Sequence, residues 1–162
     1  MKAMALVTGE FLNTVNYYMS VWLPARDYVR SALDHRFEVQ NSGQIVEIVK
    51  PGQNEFIQKI PWKEHVFNLE TEMNIEHKIN YVLLNEKPNK WLVIAVTVTP
   101  NSFVTRKPLL KNWWGLKDED LSEVAGIEGC IFCHSSGFIG GNTTREGALK
   151  MAVVSLQAEP IT

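Results

Sequence analysis

Two apolar segments, Ile79 to Leu84 and Trp91 to Val98, stand on either side of Asn85-Glu86-Lys87-Pro88-Asn89-Lys90, and this pairing limits the fold more than any other feature. Both are rich in β-branched and aliphatic residues, and turn-forming residues lie between them, so they read as a β-hairpin. With 162 residues, 45% of them apolar, the chain has enough material for one ordinary domain with a real core around that hairpin.

Helices precede the hairpin. Met4, Val7, Phe11, Val15, Tyr18 and Trp22 recur at spacings of three or four, one face of a long amphipathic helix. Leu23-Pro24 interrupts it, and Pro24 suits the first turn of a second helix whose apolar side is Tyr28, Val29, Ala32 and Leu33, ending at Arg36 or Phe37. Phe37 to Gln40 and Gln44 to Val49 alternate around Asn41-Ser42-Gly43 and read as another hairpin. Lys50 to Pro61 reads as loop, and Trp62 to Leu69 as a short helix turning Trp62, Val66 and Leu69 inward.

Beyond the central hairpin, Pro100 to Gly115 is a long connection with Phe103, Arg106, Lys107, Lys111, Trp113 and Trp114, unusually aromatic and basic for a loop. Aromatic rings stack on unpaired bases while cations meet phosphates, so this segment invites a nucleic-acid reading. Trp113 and Trp114 are adjacent, so an extended backbone buries at most one of them. Asp118 to Val124 is a short helix with acidic residues in its first turn, closed by Gly126. Ile127 to His134 reads as a strand, and Ala148, Leu149, Ala152, Val153 and Leu156 line a final helix.

Several classes of function fall away. Sixteen Lys and Arg against 18 Asp and Glu leave a formal charge of -2, too little for binding nucleic acid through bulk positive charge. No apolar run reaches the roughly 18 residues of a membrane span, and Met1 to Thr8 lack a signal peptide's core, so a soluble, intracellular protein is expected, with no membrane partner. Cys130 and Cys133 are too few for a secreted disulfide scaffold. In a strand, residues three apart face opposite sides, so the two thiols should diverge as buried structural groups rather than bind metal. His35, His65 and His77 lack partners at ligand spacing and read as surface or packing residues; no Asp and His cluster or nucleophile motif gives this chain a catalytic or metal site of its own.

The segment from Cys130 to Ala152 carries the most chemistry: strand, glycine-rich turn, helix, with Thr143 and Glu146 at the spacing of a capping box. Glycines allow close backbone approach, a helix N-terminus offers unpaired N–H groups, and Arg145 adds a forked donor, which together would hold a phosphate. Ser136 and Asn142 would add neutral hydrogen bonds. The plain alternative is a tight turn.

Ala3-Met4-Ala5-Leu6-Val7, Trp22-Leu23-Pro24-Ala25-Arg26, Pro61-Trp62-Lys63-Glu64-His65, Trp114-Gly115-Leu116 with Asp118-Glu119, Gly126-Ile127-Glu128-Gly129-Cys130 and the long run Ser136-Gly137-Phe138-Ile139-Gly140-Gly141-Asn142-Thr143-Thr144-Arg145-Glu146-Gly147-Ala148 together resemble the C-terminal part of the melanocyte-proliferating-gene family. The likeness covers nearly the whole chain. That family resembles the DHH phosphoesterases and includes a 3′-to-5′ RNA exonuclease of nucleus and mitochondria; some members carry the label of metal-dependent protein hydrolase. The resemblance implies a DHH-associated substrate domain, with divalent metal, manganese as expected ion, held by an N-terminal catalytic domain that this chain lacks. It places Gly140, Gly141 and Asn142 on the family's glycine-rich motif. Asn142 stands where relatives often have His, so it hydrogen-bonds but does not donate a proton near neutral pH.

The resulting expectation is an α+β domain, a mixed sheet of about five strands with two N-terminal helices and a C-terminal helix. Residues 1–36 form a helical segment joining the catalytic domain, and residues 37–162 the substrate-binding unit. His134, Ser136, Gly137, Gly140, Gly141, Asn142, Thr143, Thr144, Arg145 and Arg106 are the candidate contacts for single-stranded RNA or a nucleotide, with no hydrolysis by this chain alone. Nucleus or mitochondrion follows from the resemblance, with cytoplasm the other compartment. The alternative function is a stand-alone interaction or dimerisation module, a homodimer included, in which Trp113 or Trp114 and the N-terminal helix bury a partner.

Overall fold

A computed structural model describes residues 2–50, 52, 60–75 and 78–159, with side chains from residue 6 onward. The first helix, α1, spans Lys2–Tyr17 and passes through a π-helical turn, Tyr18–Trp22, into α2, Leu23–Asp34. Pro24 sits in the first turn of α2, where its missing N–H is not needed. The strands are β1 (Ile45–Glu47), β2 (Tyr81–Lys87), β3 (Lys90–Ala95), β4 (Cys130–Cys133) and β5 (Ile139–Asn142). Between and after them lie the one-turn α3 (Arg36–Val39), α4 (Trp62–Glu72), α5 (Asp118–Ala125) and α6 (Arg145–Gln157). The architecture is the expected α+β one: a mixed five-stranded sheet in the order β1-β2-β3-β5-β4, parallel only between β1 and β2.

Strand alternation explains the layering. Tyr81, Leu83, Val93, Ala95 and Ile45 face a core shared with Leu121 of α5 and Ala148, Met151 and Ala152 of α6. Their neighbours Val82, Leu84 and Val46 face the other way, against Val29 and Leu33 of α2 and Val66 and Leu69 of α4. Helices therefore cover both faces of the sheet. Each fully buried Leu or Ile contributes about 1.5–3 kcal/mol, so the α2 part of residues 1–36 is part of this packing.

α1 behaves differently. Its apolar stripe is real, but none of the side chains from Leu6 to Tyr17 is buried; Val7 and Phe11 are each 65% exposed. At its foot His65, fully buried, sets Nε2 2.9 Å from the carbonyl of Trp22, with its ring 4.2 Å from the indole. The carbonyl accepts, so Nε2 carries the hydrogen, and the buried Nδ1 has no partner among the described residues. Burial holds the imidazole below its ordinary pKa.

Three readings of the sequence need correction. Phe37 to Gln40 is not a strand: it belongs to the turn α3 and Gln40 after it, and β1 pairs in parallel with β2 instead of forming a hairpin. The glycine-rich run is not a loop either, since Ile139–Asn142 is an interior strand hydrogen-bonded to both β3 and β4. A β-carbon on Gly140 would lie 2.9 Å from Leu109 Cδ1, and one on Gly141 2.8 Å from the Phe132 ring; glycine is there for packing. Third, Cys130 and Cys133 do not diverge. A bulge between Cys130 and Phe132 adds a residue, so both thiols enter the same core, where burial pushes Cys133 up to about 12. They remain free, buried thiols, as expected. The loop read over Lys50 to Pro61, and His77, lie largely outside the described residues.

Candidate functional site

The sequence motif is divided by β5. Its four residues, about 13 Å of strand, separate His134, Ser136 and Gly137 at one end from Thr143, Thr144 and Arg145 at the other. Between them Gly140, Gly141 and Asn142 are buried. Asn142 is fully enclosed: Nδ2 donates to the Glu128 carbonyl at 2.9 Å, and Oδ1 accepts from the backbone N–H of Thr144 at 2.9 Å. Its amide ties the loop before β4 to the start of α6.

At the far end, the β4–β5 connection exposes His134 and Ser136; Nδ1 of His134 accepts from the Ser136 N–H at 3.2 Å and from its Oγ–H at 3.0 Å, with Phe138 edge-on to the imidazole. Gly137 is buried at a φ of 69°, and a β-carbon there would collide with the Trp114 indole. Trp114 is half-buried and donates Nε1–H to the Leu109 carbonyl at 2.8 Å; Trp113 is fully buried. One of the adjacent pair is thus buried, as the sequence reading expected: Trp113 is closed to a partner or a base, while Trp114 keeps part of its surface open.

The loop's cations are also engaged. Arg106 grips the buried Glu70 with both arms, at 2.6 and 2.8 Å, donates to the Ile79 carbonyl at 2.8 Å and lies over the Phe67 ring. Lys107 donates to the carbonyls of Leu156, in the last turn of α6, and of Ala158, just after it. Phe103 is fully exposed and Lys111 is exposed.

The start of α6 is organised around Arg145. Thr144, not Thr143, is the N-cap, accepting from the Gly147 N–H at 3.0 Å, so the Thr143–Glu146 spacing does not form a capping box. Thr143 and Thr144 are exposed. Arg145 opens the 13-residue helix, reaches Glu47 of β1 through Nε at 2.7 Å and Nη2 at 2.5 Å, and is raised in pKa by that carboxylate. The pair forms one wall of a cavity of about 360 Å³, which Tyr28 and Ser31 of α2, His35 between α2 and α3, and Glu38 of α3 help to line. None of these groove residues except Arg145 was singled out from the sequence for substrate contact. They come together because α2 crosses the edge strand β1, which no local motif encodes.

Among the described residues no three His, Cys, Asp or Glu side chains are arranged to hold a metal ion. The described side chains thus offer no site for a divalent metal, which the resemblance places in a domain outside this chain. No helix among them is long and apolar enough to cross a membrane.

The chain matches the MYG1_exonuc model, described as uncharacterised protein family UPF0160, over residues 1–156. It is similar to MYG1 exonuclease of Mus musculus, 47% identical over 98% of this chain and 40% of the relative, and to that of Homo sapiens, 46% identical over 96% and 39%. MYG1 protein of Dictyostelium discoideum is 44% identical over 99% and 46%. The chain thus spans less than half the length of these relatives. No solved structure matches it.

Proposed function

The chain belongs to the MYG1 exonuclease family, and from that premise we propose that it holds the end of a single-stranded RNA, or a nucleotide, for a metal-dependent phosphoesterase domain of the DHH type. The whole enzyme would be a 3′-to-5′ RNA exonuclease, with divalent metal, manganese by resemblance, bound outside this chain. This part would orient the substrate and hold its phosphate, without hydrolysing it. The observation that carries the reading is Arg145, 37% exposed at the N-terminus of α6 and on the wall of a cavity of about 360 Å³. A guanidinium at a helix N-terminus attracts phosphate, and the exposed Thr143 stands next to it, while the Thr144 hydroxyl is taken up by the Gly147 N–H and by Asn142 Oδ1. His134 and Ser136, at the other end of β5, are a second contact for a longer strand. Arg106 is left out, because Glu70 already takes both of its arms.

The test is the salt dependence of binding by a labelled single-stranded RNA. Affinity should fall as salt rises, and Arg145→Ala should weaken binding and flatten the log–log slope by about one. Binding with an unchanged slope in the variant would remove Arg145 from the contact.

The exposed Leu6, Val7, Phe11, Leu12 and Met19 favour a second role beside the first, pairing of α1 with α1 of another copy. Sedimentation of the chain and of Phe11→Glu reads it: the variant should be the smaller species.

A further inference from the structure

The charges of the groove do not suit a bare anion. Arg145 brings one cation, while Glu38 and Glu47 bring two carboxylates. Phosphate alone would meet a surplus of negative charge, and no metal-ligating trio among the described residues stands ready to reverse it. A ligand seated here has to bring hydrogen-bond donors together with its anionic group. The Arg145–Glu47 geometry shows where those donors go. Both Nε and Nη2 of Arg145 reach one oxygen, Glu47 Oε2. Oε1 of Glu47 and Nη1 of Arg145 take no part in this pair, and both residues line the cavity, so among the described residues the pair keeps an acceptor and a donor for a ligand. With 12% of its side chain exposed, Glu47 is largely withdrawn from water, where a hydroxyl bonded to a carboxylate counts for more than on an open surface. Neighbouring hydroxyls on a sugar next to a phosphate supply this combination: dinucleotide-binding folds set a carboxylate on a ribose hydroxyl, and the 2′-hydroxyl is the donor that distinguishes RNA from DNA.

We propose that Glu47 accepts the 2′,3′-cis-diol of a terminal ribonucleotide whose phosphate lies on Arg145, so that the groove distinguishes a ribose end from a deoxyribose end. This rests on the nucleotide-holding reading given above. Glu47 acts here as a specificity residue and takes no part in bond breaking.

The experiment uses fluorescence anisotropy with the 162-residue chain and three 5′-labelled RNA hexamers that differ only in the last sugar: ribose, 2′-deoxy or 3′-deoxy. The ribose end should bind about tenfold tighter than either deoxy end, the scale of a hydrogen bond to a charged group. In Glu47→Ala, checked for an unchanged unfolding transition, that ratio should fall to about one. A matching preference for AMP over 2′-deoxy-AMP as competitor would extend the diol contact to lone nucleotides; competition by neither would assign it to the oligonucleotide end. Equal binding of all three ends by the wild type, still weakened by Arg145→Ala, would overturn the diol contact and leave the nucleotide-holding reading intact. So would a preference that survives in folded Glu47→Ala. No binding of any end by the wild type would overturn both.

Discussion

The side-chain amide of Asn142 occupies the space that a β-carbon on Gly147 would need. It holds the Glu128 carbonyl with Nδ2 and the Thr144 N–H with Oδ1, so this buried residue sets both the approach to β4 and the first turn of α6. The central part of the glycine-rich motif therefore positions Arg145 from beneath and does not itself reach solvent.

Gly147→Ala should consequently displace Asn142 and cost about 1–3 kcal/mol, as overpacking of a tight site does. Urea unfolding measures this as a lower midpoint. An unchanged midpoint would show that the amide is free to move aside.

Arg106→Ala should be among the more damaging single changes. It strands the carboxylate of Glu70, 1% exposed, with the Ile79 N–H at 2.7 Å as its one remaining partner among the described residues. Breaking such a buried pair costs about 3–5 kcal/mol. Thermal melts should show a large drop in Tm, and any loss of RNA affinity in this variant should follow the loss of fold.

His65 gives the fold a pH dependence of definite sign. Its folded pKa lies below the ordinary histidine value of 6.5, so the unfolded chain takes up the proton more readily. Stability is complete above about 6.5 and is lost as pH falls from there through the folded pKa. Melts from pH 7.5 to 5.0 should show Tm falling with acidity, and the slope should be shallower in His65→Gln. Equal slopes would place the effect on other groups.

The thiols of Cys130 and Cys133 should resist modification in the native state, since both are buried and both pKa values are raised by burial. An aromatic disulfide reagent at pH 8 should label neither at an appreciable rate until denaturant is added. Rapid labelling of the folded chain would mean that β4 opens easily.

The hairpin of β2 and β3 was legible because β-branched residues and a Pro-Asn turn agree locally. The helices α2, α4, α5 and α6 declared themselves by period and by Pro24 and Gly126. Five strands were expected and five form, yet through two opposite errors: Phe37 to Gln40 alternates like a strand but coils into α3, and Ile139–Asn142 looks like a turn but is an interior strand. Its glycines have poor strand propensity, and only the rings and methyl groups packed on them, Phe132, Leu109 and Met151, explain why they are there. The bulge at Ile131 hid the common orientation of the two cysteines in the same way. Arg145 was legible from the helix start, whereas Glu47, 98 residues away, and the α2 wall of the groove depend on how β1 pairs with β2.

Comparing the two ends of β5 tests the central claim most directly. The dissociation constant of one labelled single-stranded RNA should be measured at a fixed low salt for the wild type, Arg145→Ala and His134→Ala. Loss of a phosphate contact made by a guanidinium should raise Kd about tenfold or more in Arg145→Ala, with a smaller change in His134→Ala. Full affinity in Arg145→Ala, with binding lost in His134→Ala, would contradict the account and move the substrate to the β4–β5 end of the sheet.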